Sequence, residues 1–169
     1  MNTPDLLDTL GAFPESVSAL RDRRIKVKAA TEASLEALLS SDLESLSVAE
    51  RLQVAVLACR LSGSSLLAQH YVTLALAEGV APEDLAGLEA KGEPWSNDYP
   101  TRLATILQFT ATLVQRPLDG DRIALERLLT EAELTISDCV VLAQLVGFLT
   151  YQIRLLAGLR AMAAVERDA

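Results

Sequence analysis

His70 is the only histidine among 169 residues. Imidazole has the ordinary side-chain pKa nearest neutrality, so His70 is the first candidate for moving protons. Helical spacing places Leu66, Leu67, Leu74 and Ala77 around it, which gives it an apolar face. Two readings stand side by side: a packed imidazole with one nitrogen hydrogen-bonded, or a general acid/base or ligand-orienting group whose pKa is tuned by burial. A second constellation lies nearer the C-terminus. Gln144, Gly147, Tyr151, Arg154 and Gly158 follow one another at steps of 3, 4, 3 and 4, and Ala161 continues the series. That spacing forms one helical stripe, and its glycines admit a helix or a ligand closely. One reading is a polar helix–helix or subunit contact, with Arg154 paired to an acid such as Glu50, Glu131 or Glu133. The other is a pocket wall on which Arg154 holds a carboxylate.

Other catalytic raw material is sparse. Cys59 and Cys139 sit inside apolar stretches and form no C-x-x-C, so both are read as small buried hydrophobes. The chain contains no G-x-S-x-G, Walker A, G-x-G-x-x-G, HExxH or EF-hand loop. No acid stands three or four residues from His70, the helical spacing a carboxylate–histidine metal site uses. Neither a metal nor a cofactor is expected. Fifteen Lys and Arg against 23 Asp and Glu give a net charge of −8, with only 4% aromatic residues. Such a surface suits neither phosphate-backbone binding nor base stacking, so nucleic acid is not an expected partner. The basic run Arg21, Arg23, Arg24, Lys26 and Lys28 has no aromatics between its charges and is read as a solvated face.

These side chains need elements to position them, and the elements read as helices. Ala, Leu, Glu and Arg dominate, and no run alternates with a period of two, so an all-α fold is predicted. Pro14-Glu15 starts a short helix, and residues 23–39 form a second. Ser47-Val48-Ala49-Glu50 is a capping box opening a helix to residue 61. Only Arg51, Gln53 and Arg60 interrupt the apolar surface of that helix, so it should be central. Ser62-Gly63-Ser64-Ser65 breaks it. Residues 65–78 are helical and stop at Gly79; Pro82 opens a short helix to residue 90. Residues 91–100 form a loop whose Trp95, the only tryptophan, is expected to pin it to the body. Helices follow at 100–115 and 121–131. Thr135 and Asp138 cap the longest, which runs to residue 165. Residues 139–158 have the length of a membrane span, but Gln144, Gln152 and Arg154 make a span costly. A buried helix of an oligomeric bundle is expected instead. With no basic n-region or apolar h-region at the start, a cytoplasmic protein is expected.

The order of these pieces resembles the carboxymuconolactone decarboxylase / alkylhydroperoxidase D superfamily. Its core is matched by Leu46-Ser47-Val48-Ala49-Glu50-Arg51, an apolar helix, Ser62-Gly63-Ser64, then Gln69-His70-Tyr71 and Glu78-Gly79-Val80-Ala81-Pro82-Glu83-Asp84-Leu85. Trp95, Arg102-Leu103, Phe109-Thr110-Ala111-Thr112-Leu113, Arg116-Pro117 and residues 134–158 resemble the longer, peroxidase-related members. The likeness spans roughly residues 40–160. It implies a multi-helix bundle assembling as a homo-oligomer, from dimer to hexamer, with an N-terminal helical extension at 1–40 and the family-like domain at 41–165. Thiol-active members carry C-x-x-C-x-x-x-H at the His-bearing helix. With that His placed on His70, Gly63 and Leu66 stand at the cysteine positions; with it on Tyr71, Ser64 and Leu67 do. Neither register has a thiol, and dithiol peroxide reduction needs a nucleophilic and a resolving one.

The decarboxylase branch also lacks the cysteines and keeps a His. By that resemblance His70 and Glu50 are the catalytic candidates, with Tyr71, Arg154, Tyr151 and Gln144 as substrate-binding candidates. The expectation is a non-thiol helical protein that binds a small molecule, or acts on one, at a His70 pocket. The alternatives are an antioxidant enzyme using Cys59 and a structural partner of a cysteine-bearing paralogue.

Overall fold

The structure, a computed structural model, describes residues 5–43, 45–88 and 99–167. Among the described residues it is all-helical, with no strand. Nine α-helices follow in chain order: α1 (Leu6–Gly11), α2 (Glu15–Asp22), α3 (Ile25–Leu38), α4 (Val48–Leu61), α5 (Ser65–Ala77), α6 (Pro82–Gly87), α7 (Thr101–Gln115), α8 (Arg122–Thr130) and α9 (Ile136–Arg167). The expected loop around Trp95, and the end expected at residue 90 for the helix Pro82 opens, lie outside the described residues.

Helix α4 is the centre. Every residue from position 51 to 59 is buried, and α5, α7 and α9 pack against it. Its ends are set locally. Ser47 Oγ accepts from the Glu50 N–H at 3.2 Å, and Glu50 Oε2 accepts from the Ser47 N–H at 2.9 Å, so two orphan donors of the first turn are satisfied. At the other end Gly63 takes φ +70°, where a Cβ would be strained. The Ser64 N–H reaches back to Cys59 O and the Gly63 N–H to Arg60 O, a Schellman stop. Helix α5 ends the same way at Gly79, with φ +90° and the Val80 N–H on Ala75 O.

Arg51 is fully buried and has no ion-pair partner among the described residues. Its guanidinium instead donates to four carbonyls: Leu38 O at 2.6 Å, Ser40 O at 2.8 Å, Leu46 O at 2.8 Å and Ser47 O at 3.3 Å. Two of these are where α3 ends, and carbonyls there carry the negative end of the helix dipole. Arg102, in the first turn of α7, adds a second clasp. It donates to Glu50 Oε1 at 2.7 Å, Ala132 O at 2.6 Å and Ser45 O at 2.6 Å. Asp138 closes the ring by accepting from Ser45 Oγ and capping α9 with Thr135.

The N-terminal helices lie along α9, which contacts α1, α2 and α3. Helix α1 is absent from the sequence reading. Asp5 caps it, accepting from the Leu7 N–H at 2.8 Å. Asp5 also takes a bidentate pair from Arg21, at 2.7 and 2.9 Å. Burial pushes the Asp5 carboxyl up, but the hydrogen bonds and charge of Arg21 and the cap amides outweigh it and hold the group below the usual carboxylate range. The basic run is therefore not one solvated face. Arg21 is buried on Asp5 and Asp8, and Lys28 bridges Asp8 and Asp22.

Helix α9 is long and apolar enough to cross a membrane by length and composition, and 44% of its most apolar window is buried inside the protein. Leu142, Leu145, Leu149, Gln152 and Leu156 are its buried line.

Because Arg51 is fully buried and donates to four carbonyls, Arg51→Met should cost about 3 kcal/mol or more. Arg51→Lys should recover little of it, since one ammonium cannot span the fork. Urea unfolding of the three proteins checks both.

Candidate functional site

Helix α5 sets His70 and Tyr71 side by side. Their rings meet edge to face, with centroids 5.2 Å apart and an interplanar angle of 68°. His70 is half-buried, and desolvation pulls its pKa down, so the imidazole is neutral at neutral pH. It makes no hydrogen bond or ion pair with another described residue. Tyr71 is fully buried and donates its hydroxyl to Gln152 Oε1 on α9 at 2.6 Å. Burial pushes the phenol far up, so it stays protonated. Gln152 is also fully buried, and its Nε2 has no partner among the described residues. This Tyr–Gln pair was not singled out in the sequence, because its residues lie 81 positions apart.

The Glu50 carboxylate is committed away from His70. Oε2 completes the α4 cap and Oε1 takes the Arg102 guanidinium. Two of the three acids considered for Arg154 are likewise engaged: Glu131 pairs with Arg127 at 2.9 Å, and Glu50 with Arg102. Arg154 is exposed, with no ion pair among the described residues. The stripe does share one helical line, but that line faces solvent. Gln144, Gly147, Arg154 and Gly158 are all exposed, and a Cβ on either glycine would meet nothing within 4 Å. Tyr71 reaches α9 at Gln152, and Arg154 stands about 200° further round the helix. The fold therefore joins Tyr71 to Gln152 and turns Arg154 away from them.

Tyr151 borders a cavity. The space measures about 220 Å³ and lies between α2–α3 and α9. Its apolar wall is Leu155, Leu159 and Met162 from α9, with Leu20 and Val27 opposite. Arg21, Arg24 and Lys28 form the basic part, and the Thr31 and Tyr151 hydroxyls complete it. Thr31 Oγ1 donates to Val27 O at 2.9 Å, so the proton shared with Tyr151 across 3.5 Å comes from the tyrosine. At that length the bond is weak, and the Tyr151 hydroxyl can be drawn to an incoming acceptor. His70, Glu50, Tyr71, Gln144 and Arg154 do not line this cavity. Reading residues 21–28 as a uniformly solvated face hid it; the signal was Leu20 and Val27 interleaved with the charges.

Both cysteines are buried. Burial alone pushes the Cys59 thiol up to about 12, which leaves negligible thiolate at neutral pH. No group of three or more His, Cys, Asp or Glu among the described residues could hold a metal ion.

The Tyr71–Gln152 pair generates a coupling test. Tyr71→Phe leaves both polar ends of the Gln152 amide without partners and should cost about 1–3 kcal/mol. In the Tyr71→Phe background, Gln152→Met should restore stability, whereas alone it should lower it by stranding the hydroxyl. Urea unfolding of the full cycle reads the coupling; additive costs would show that the two side chains act independently.

No protein-family model, curated protein or solved structure matches the chain.

Proposed function

We propose that this chain is a non-thiol, ligand-binding helical protein related to the carboxymuconolactone decarboxylase / alkylhydroperoxidase D type, which takes a small molecule into the cavity between α2–α3 and α9. The cavity carries this reading: an apolar wall with a few hydroxyl and cationic groups is the usual make-up of a small-molecule site. The family relation is supported by the order of elements, from the Ser47–Glu50 cap through the Gly63 stop, the His70-bearing helix and the Gly79 stop to Pro82. The absence of a thiol at positions 63, 64, 66 and 67 and the burial of Cys59 favour binding over thiol redox chemistry. In this reading Tyr151 orients the ligand, Glu50 is structural, and Tyr71, with His70 against its ring, serves to tie α5 to α9 through Gln152.

The neutral fluorophore N-phenyl-1-naphthylamine tests it. The full chain should enhance its emission saturably, and Val27→Trp, which fills the cavity from an exposed position, should abolish the enhancement without lowering helicity. An unbound probe, or one indifferent to Val27→Trp, would overturn the assignment. Hydroperoxide consumption lost in Cys59→Ala would overturn the non-thiol reading.

Self-association is part of the same proposal. Val140, Tyr151 and Val165 are exposed along α9 beside the open surfaces at Gly147 and Gly158, a strip against which a second helix packs closely. Light scattering should give a mass of at least twice 18.2 kDa, and Gly147→Arg should reduce it.

A further inference from the structure

The cavity wall runs against the charge of the whole chain. Acids outnumber bases 23 to 15 in the sequence, yet Arg21, Arg24 and Lys28 line the cavity and no Asp or Glu does. Two of these cations are already balanced. Arg21 is held by Asp5 and Asp8, and Lys28 by Asp8 at 2.6 Å and Asp22 at 2.8 Å. Arg24 has no ion pair and no side-chain hydrogen bond among the described residues. Its fork of donors stands at the edge of an apolar space with no carboxylate paired to it. The Tyr151 hydroxyl on the same wall holds only a long bond of 3.5 Å.

We infer that the cavity's ligand is an amphipathic monocarboxylate, with its hydrocarbon end against Leu155 and Leu159 and its carboxylate on Arg24. The inference rests on the cavity reading above and adds the charge of the ligand to it. A guanidinium matches a carboxylate in planar, two-bond geometry. The unpaired Arg24 fork takes one carboxylate, whereas a dianionic phosphate would bring a second charge toward Asp8 and Asp22, which with Asp5 already outnumber the two cations they pair. Size points the same way. An apolar cavity of about 150 Å³ holds benzene, so 220 Å³ holds a chain or ring acid of about ten heavy atoms.

Octanoate and 1-octanol share a hydrocarbon chain and differ in the charge of the head. Each is titrated against N-phenyl-1-naphthylamine bound to the full chain and to its Arg24→Gln variant. Arg24 is exposed and unpaired, so the substitution should leave the fold intact. Arg24→Gln should raise the octanoate concentration for half-displacement about tenfold and leave that of octanol unchanged. Equal shifts for the two, or none for octanoate, would overturn the carboxylate assignment while leaving the cavity in place. A probe that fails to bind the unsubstituted chain would instead remove the cavity reading itself.

Discussion

A guanidinium shut away from water without a carboxylate must find its compensation in dipoles. Arg51 finds it in four carbonyls, from Leu38, Ser40, Leu46 and Ser47. Desolvation pulls its pKa down, but an arginine stays charged in proteins, so the carbonyls must remain where they are. This ties the end of α3 to the start of α4 across the intervening segment. Since α4 is the helix against which α5, α7 and α9 pack, the direction in which α3 leaves the centre, and thus its approach to α9, follows from that one side chain.

The polar groups around the start of α4 form a continuous set. Arg102 links Glu50, Ser45 O and Ala132 O, and Asp138 links Ser45 to the cap of α9. Buried or half-buried groups of this kind give specificity when fully satisfied. Glu50, which a family resemblance would nominate for chemistry, is fully used in holding α7 to α4. Groups without a protein partner among the described residues include the Gln152 amide nitrogen inside the bundle and the Arg24 guanidinium on its edge. The first is enclosed on all sides; the second opens on a cavity, which is why the binding proposal follows Arg24 rather than His70.

Local chemistry was legible where a residue's neighbours in sequence decide its role. The Ser47–Glu50 and Thr135–Asp138 caps are made of residues three apart, and both form as read. Gly63 and Gly79 stop α4 and α5 because only glycine adopts those positive φ angles freely. The unbroken apolar run after Arg51 announced a central helix, and the fold buries it. Helix α1 was not legible, because six residues cannot sustain a helix alone; it depends on Arg21, 13 to 16 positions away, reaching Asp8 and Asp5.

Sequence by itself determined that this chain is helical, where most of its helices start and stop, and which residues share a line along α9, since capping, glycine φ and the 3.6-residue turn are local properties. It did not determine which way that line points. Helix α9 is apolar on nearly every side, so no strong polar–apolar contrast orients it. Only packing against α4, α7 and the N-terminal helices decided that Gln152 faces inward and Gln144, Gly147 and Arg154 outward. Tertiary structure likewise decided which cations of the basic run would meet Asp5, Asp8 and Asp22 and which one would stand unpaired beside the cavity. Pairing across distant segments is set by three-dimensional proximity, and spacing along a chain does not encode it.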